Sequence, residues 1–110
     1  MGLLTTSYER WQREPFPPGH PDDAIDELHA DLALADSWVA DSVTPFVERG
    51  MHEPARIDVI SELHELRGRA TDLEASVASD DRALVRDYAA YLDALLVVYQ
   101  DFLDSAPPSS

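Results

Sequence analysis

The sequence predicts an all-α fold: an up-down-up bundle of three helices that follows an extended, proline-rich N-terminal arm. Two observations lead to this prediction. Three successive stretches place apolar residues three and four positions apart, which lines one side of an α-helix. Helix-breaking and helix-starting residues lie between these stretches. The three apolar seams are Ile25, Leu28, Leu32, Ala35, Val39 and Phe46; Val59, Leu63, Leu66, Ala70, Leu73 and Val77; and Val85, Tyr88, Leu92, Leu95, Tyr99 and Phe102.

Residues 1–21 are predicted to form the arm, because five of the prolines and glycines that end helices cluster between Pro15 and Pro21. The aromatic residues of the arm are compatible with a short helical turn around Ser7 to Arg13. Residues 22–104 are predicted to form the bundle, and residues 105–110 a flexible tail.

The first helix is predicted from Asp22 to Arg49, with a proline and two aspartates at its positive end. Pro45 either kinks this helix or starts a fresh final turn. Gly50 is expected to supply the left-handed residue at the C-terminus.

The second helix is predicted to begin near Pro54 and to end at about Ala78. The third is predicted from Ser79, as N-cap, to about Asp104. Neither glycine nor proline separates these two helices, so one long helix over residues 54–104 is the alternative. The sequence Ser79-Asp80-Asp81 favours a turn, since it is a helix-start signal.

Charge is the outlier of the composition, with 22 acidic residues against 8 basic ones and a net charge of −14. Such a chain repels phosphate backbones and anionic lipids, which argues against direct binding to nucleic acids or membrane surfaces. Cysteine is absent, so disulfides and thiolate metal sites are excluded. No signal peptide and no apolar run of bilayer length is present, and the expected location is the cytoplasm.

Catalysis and cofactor binding are not expected from this sequence. It contains no nucleophile elbow, no phosphate-binding glycine loop and no dinucleotide fingerprint. Asp26 and His29 have the spacing by which a carboxylate and an imidazole can share a metal ion on a helix. The corresponding positions around His64 are Ser61 and Arg67, so a second half-site is missing and no cofactor is predicted.

Acidic residues dominate the first helix, which has seven carboxylates and no basic residue between Asp22 and Val47. The predicted acidic face comprises Asp22, Asp26, Asp31, Asp36 and Asp41. It either keeps the protein in solution or binds a basic partner, and solubility is the favoured interpretation.

Apolar residues outside the seams suggest an interaction surface. The third helix is apolar over about half its circumference, more than the roughly 100° stripe of a surface helix. Either it lies centrally under the aromatic arm, or it forms a dimer or partner interface. The candidate interaction residues are Leu84, Tyr91 and Val98 on the third helix, Leu34 and Trp38 on the first, and Ile57 and Ile60 on the second.

Together these features predict a small, acidic, non-catalytic protein that binds another protein or a second copy of itself, as a homodimer. The alternative is an acidic inhibitor or immunity-type protein that blocks a basic, nucleic-acid-binding surface. A metal- or ligand-binding helical bundle is a third class.

Overall fold

The chain was analysed in a computed structural model, which describes residues 3–13, 21–50 and 58–105. These residues form four α-helices and no strand: α1 (Leu3–Arg13), α2 (Asp23–Arg49), α3 (Val59–Ser76) and α4 (Ser79–Ser105). The all-α prediction is confirmed. The prediction of three helices after an extended arm is wrong, because residues 3–13 of the arm are a fourth helix.

The three predicted seams form the core. All six residues of the third seam are buried, as are five of the first and four of the second; Phe46, Leu73 and Val77 are partly buried and pack against the others. The phenyl rings of Phe46 and Phe102 meet edge to face, with centroids 5.4 Å apart. The apolar spacing therefore identified which side of each long helix faces inward.

Contacts between side chains give the direction of each helix. Asp31 of α2 pairs with Arg69 of α3, and Arg67 of α3 pairs with Asp93 of α4, while residues near the end of α3 contact the start of α4. The α3–α4 pair is thus antiparallel. On α2 and α4, Asp36 meets Tyr91 and the later Phe46 meets Phe102, so these two helices run parallel. The predicted up-down-up order of α2, α3 and α4 is confirmed.

The ends of α2 follow the sequence signals. Asp22 caps its N-terminus by accepting hydrogen bonds from the backbone N–H groups of Ala24 and Ile25, at 3.0 and 3.4 Å. Gly50 is left-handed (φ 69°, ψ 17°), and its N–H donates to the Phe46 carbonyl at 2.9 Å. Pro45 lies inside the helix, which continues through it to Arg49.

The start of α3 differs from the prediction. Asp58 has non-helical dihedrals (φ −78°, ψ 86°) and accepts hydrogen bonds from the backbone and side chain of Ser61. A helix continuous from Pro54 is therefore wrong, because the Asp58 side chain caps a helix that starts at Val59.

Helices α3 and α4 are separate, which excludes the single long helix. Val77 is extended (φ −81°, ψ 161°) and ends α3, and α4 begins at Ser79 itself. Two arginines of α4 bind the last turns of α3: Arg82 donates to the Glu74 carbonyl at 3.3 Å, and Arg86 pairs with the Glu74 carboxylate at 2.5 Å. Positive charge is favourable at the C-terminal end of a helix, so these contacts stabilise the reversal.

Helix α1 packs along α4, with a smaller contact to α2. Leu4 and Trp11 are buried, seven residues apart on one side of the helix. The Ser7 hydroxyl donates to Asp101 of α4 at 2.6 Å, and Tyr8 forms a short hydrogen bond with Thr44 of α2. An isolated helix of 11 residues is marginal in water, so these contacts stabilise it.

We expect Trp11→Ala to release α1 from α4. Loss of a buried indole costs about 3 kcal/mol, and the urea midpoint should fall accordingly, with some loss of helical circular dichroism. Gln12→Ala is the control, since Gln12 is exposed on the same helix. Equal midpoints for the two variants would show that α1 does not stabilise the bundle.

Candidate interaction surfaces

The predicted interaction residues of α4 are Leu84, Tyr91 and Val98, and they lie largely within the chain's own core. Val98 is 1% exposed and Tyr91 7% exposed, and Leu84 is partly buried against the core. The Tyr91 hydroxyl donates to Asp36 of α2 at 2.9 Å. Dimerisation through these three residues stays a prediction, but Tyr91 and Val98 are already covered within the chain.

The five predicted residues of the acidic face do not share one environment. Asp22 is the N-cap of α2, Asp31 pairs with Arg69 of α3 at 2.5 Å, and Asp36 binds Tyr91. Asp26 and Asp41 are exposed. Three of the five carboxylates therefore have partners within the fold, which a helical wheel of α2 alone could not reveal.

Asp36 is partly buried between α2 and α4. Burial raises the pKa of Asp36 above its ordinary value, and the hydrogen bond from Tyr91 opposes that shift by stabilising the ionised form. The folded state therefore binds this proton more tightly than the unfolded chain does. Ionisation of Asp36 must lower the stability as the pH rises from the unfolded pKa of about 3.9 towards the folded value.

Asp36→Asn should remove this pH-dependent loss while keeping an oxygen that accepts the Tyr91 hydrogen bond. We expect the variant to match the wild type near pH 3 and to gain in relative stability by pH 7. The measurement is urea unfolding at a series of pH values from 3 to 7. The protein concentration is kept low, in the micromolar range, to limit precipitation, because the isoelectric point of about 4.3 falls within this pH range. Asp41→Asn, at an exposed site, is the control. A difference between Asp36→Asn and wild type that does not change with pH would contradict the assignment.

Of the two predicted interaction residues of α2, Leu34 is the more exposed, at 49%. Leu34 and the half-buried Trp38 line a shallow cavity of about 110 Å³ between α2 and α3. We call this cavity and its walls the α2–α3 groove. Its residues are Asp31, Leu34, Trp38, Glu62, Glu65, Leu66 and Arg69.

Ile60, predicted for the same surface, lies on another side of α3. It precedes Arg67 by seven residues and so shares its side of the helix, and Arg67 donates to Asp93 of α4 at 2.8 Å. Ile60 is partly buried and packs against the core. Ile57 lies outside the described residues. The predicted apolar residues of α2 and α3 therefore do not form one continuous patch.

The α2–α3 groove carries unbalanced negative charge. Arg69 is its one cation and is paired with Asp31. Glu62 and Glu65 have no cationic partner within the described part of the chain. Neither glutamate was among the predicted interaction residues, because their closeness to Leu34 and Trp38 depends on how α3 packs against α2.

A second groove lies between α1 and α4, with a volume of about 290 Å³. We call it the α1–α4 groove. It is lined by Ser7, Arg10, Trp11, Ala90, Asp93, Ala94, Val97 and Val98, of which Val97 is 53% exposed. None of these residues except Val98 was predicted to be part of a surface.

The weak metal candidates, Asp26 and His29, gain no further ligand from the described residues. Across the described ranges, no group of three histidine, aspartate or glutamate side chains could hold an ion. The His29 ring instead packs near the Tyr88 ring, with centroids 5.8 Å apart.

Comparison with known proteins yields no relative: no family model, no curated protein and no solved structure matches the chain. Among the described helices, none has the length and apolar character needed to cross a membrane. The grooves and the charges around them are therefore the features of the chain that bear on its function.

Proposed function

We propose that this chain is a small non-catalytic protein-binding module that captures a basic, amphipathic segment of another protein in the α2–α3 groove. The observation that carries the proposal is the exposure of Leu34 beside Trp38, in a cavity rimmed by two glutamates that have no cationic partner among the described residues. An aromatic and an aliphatic side chain within a polar rim are typical of the centre of a protein interface.

The charge around the groove selects the chemistry of the partner. Glu62 and Glu65 are balanced by no cation in the described ranges, and the chain as a whole carries −14. Lysine or arginine side chains of a partner would complement the rim, while its apolar side chains would cover Leu34 and Trp38. An amphipathic helix presents both kinds of side chain at the required spacing.

The acidic inhibitor is the second candidate function, and the predicted acidic face supports it only in part. A surface that imitates phosphates needs a row of available carboxylates, but Asp22, Asp31 and Asp36 are engaged within the fold. The exposed carboxylates that remain on α2 include Asp23, Asp26, Glu27, Asp41 and Glu48.

Leu34→Glu should weaken binding of a basic amphipathic peptide of about 16 residues at least tenfold, because it places charge at the centre of the interface. The measurement is fluorescence anisotropy of the labelled peptide. Leu103→Glu is the matched control, since Leu103 is another exposed leucine, at 39%, outside the groove. A peptide with the same apolar side and glutamates in place of its basic residues should not bind.

The glutamates are tested separately through the association rate. Glu62→Gln with Glu65→Gln should slow association and reduce its dependence on salt, because exposed charges steer an encounter over about 8–10 Å. Glu9→Gln with Glu48→Gln removes the same charge elsewhere and should have less effect.

Two results would overturn the proposed function. One is equal binding by the Leu34→Glu and Leu103→Glu variants, and the other is equally tight binding of the acidic peptide. If binding instead survives Leu34→Glu but falls when Asp23, Asp26 and Asp41 are changed to asparagine, the acidic-inhibitor function takes its place.

A further inference from the structure

A second cavity continues the α2–α3 groove towards the start of α2 and the end of α3. Its volume is about 280 Å³, and Arg69 lines both this cavity and the groove. The residues of the second cavity are Ala24, Glu27, Arg69, Asp72, Leu73 and Ser76. The two cavities therefore meet at Arg69, and we call them together the extended groove.

The residues that α2 and α3 contribute to the extended groove follow the spacing of a coiled coil. Along each helix they are separated by three, four, three and four residues in turn, a pattern that keeps one line of side chains facing a neighbouring helix. The two series are Ala24, Glu27, Asp31, Leu34 and Trp38 on α2, and Glu62, Glu65, Arg69, Asp72 and Ser76 on α3. Leu66 and Leu73, which also line the extended groove, belong to the core seam of α3.

The two series lie side by side along the antiparallel helices. Asp31 pairs with Arg69 at the middle of the extended groove, at 2.5 Å. Ala24 precedes Asp31 by seven residues. Ser76 follows Arg69 by seven residues and lines the same cavity as Ala24. The extended groove therefore follows both helices for about four turns, or about 21 Å at 1.5 Å per residue.

The ends of the extended groove are negative and its middle is neutral. Each end has two carboxylates, which are Glu62 and Glu65 at one end and Glu27 and Asp72 at the other. None of these four carboxylates has a cationic partner within the described residues. Arg69 lies between the two ends, and its side chain is 39% exposed although it is paired with Asp31. A partner in the groove can therefore contact Arg69 directly.

The spacing of the lining residues selects a helix as the occupant of the extended groove. An extended segment would cross 21 Å in about six residues, and its side chains would face the groove at every second position. A helix covers the same length in about 14 residues. Its inward side chains repeat at three and four residues, as the lining of the groove does.

We infer that the partner segment is one α-helix of about four turns that lies along the whole extended groove, as a third coiled-coil helix beside α2 and α3. The inference rests on the proposed function and specifies its partner. Apolar side chains of the partner contact Leu34 and Trp38 in one cavity and Leu73 in the other. Its basic residues face the carboxylates at both ends, and an acidic residue faces Arg69. Because one polar position can fix the register of a coiled coil, Arg69 sets where along the groove the partner helix binds.

The test compares two 16-residue peptides of identical composition by fluorescence anisotropy. Both have leucines at heptad spacing with lysines beside them. The matched peptide has one glutamate at its centre, and in the isomer this glutamate exchanges places with a lysine near one end. We expect the matched peptide to bind roughly three- to tenfold more tightly, because the isomer places a lysine next to Arg69 and a glutamate next to the carboxylates of one end.

Arg69→Gln should reduce or reverse the preference for the matched peptide. The substitution removes the central cation and leaves Asp31 able to pair with the lysine of the isomer. Arg67→Gln is the matched control, because Arg67 lies on the same helix and pairs with Asp93 of α4, outside the extended groove. This control should leave the preference unchanged.

Ala24→Arg tests the second cavity. It places a cation in that cavity and should weaken binding of the matched peptide roughly three- to tenfold, through repulsion of the basic end of the peptide. Ala83→Arg is the control, at an exposed alanine near the start of α4, and should have no such effect.

A proline at a central, outward-facing position of the matched peptide tests the helical form. The proline leaves the inward side chains in place but interrupts the helix, so binding should fall at least tenfold.

Four results would overturn the inference: equal binding of the two isomers, an unchanged preference in Arg69→Gln, equal binding by Ala24→Arg and Ala83→Arg, or undiminished binding of the proline peptide. The proposed function stands in each case if Leu34→Glu still weakens peptide binding relative to Leu103→Glu. If neither isomer binds while the basic peptide of the earlier experiment does, only the inference fails. If the two leucine variants bind alike, the proposed function itself fails.

Discussion

Burial of about half the circumference of α4 is the constraint on which the rest of the structure depends. Nine of its residues are buried, and they extend from Val85 to Phe102. Two antiparallel or parallel neighbours cannot cover so wide a surface, so α2, α3 and α1 all pack against it. The position of α1, and with it the α1–α4 groove, follows from this requirement.

The few basic residues are used where helices meet. Arg67 and Arg86 connect α3 with α4, and Arg69 connects α3 with α2. These pairs are partly exposed, and each contributes at most about 1 kcal/mol to stability. Their larger effect is on the surface potential, because they neutralise Asp31, Glu74 and Asp93. Within the described helices no cation pairs with Glu62 or Glu65 at the rim of the α2–α3 groove.

The two grooves differ in the charge of their linings. The α2–α3 groove combines Leu34 and Trp38 with excess negative charge, which favours a basic partner. The α1–α4 groove has an apolar wall of small side chains from α4, with Arg10 and Asp93 as its charged lining residues. The preference of the α2–α3 groove arises from which charges the fold has already paired, and it depends on how α3 packs against α2.

The sequence by itself determined the all-α class, the inward side of each long helix, the start of α2 near Asp22 and the left-handed Gly50, and it favoured a turn between α3 and α4. These features depend on local spacing and backbone preference, which operate within a few residues. The sequence also identified Leu34 and Trp38 as apolar residues outside the core.

Only the tertiary structure decided that α1 is a helix, because a helix of 11 residues needs its contacts with α4 for stability. It also decided that Tyr91 and Val98 are covered, that Asp31 and Asp36 have partners, and that Ile60 lies apart from Leu34. Those outcomes depend on which helix faces which, and contacts between residues up to 94 positions apart, such as Ser7 and Asp101, leave no trace in local periodicity.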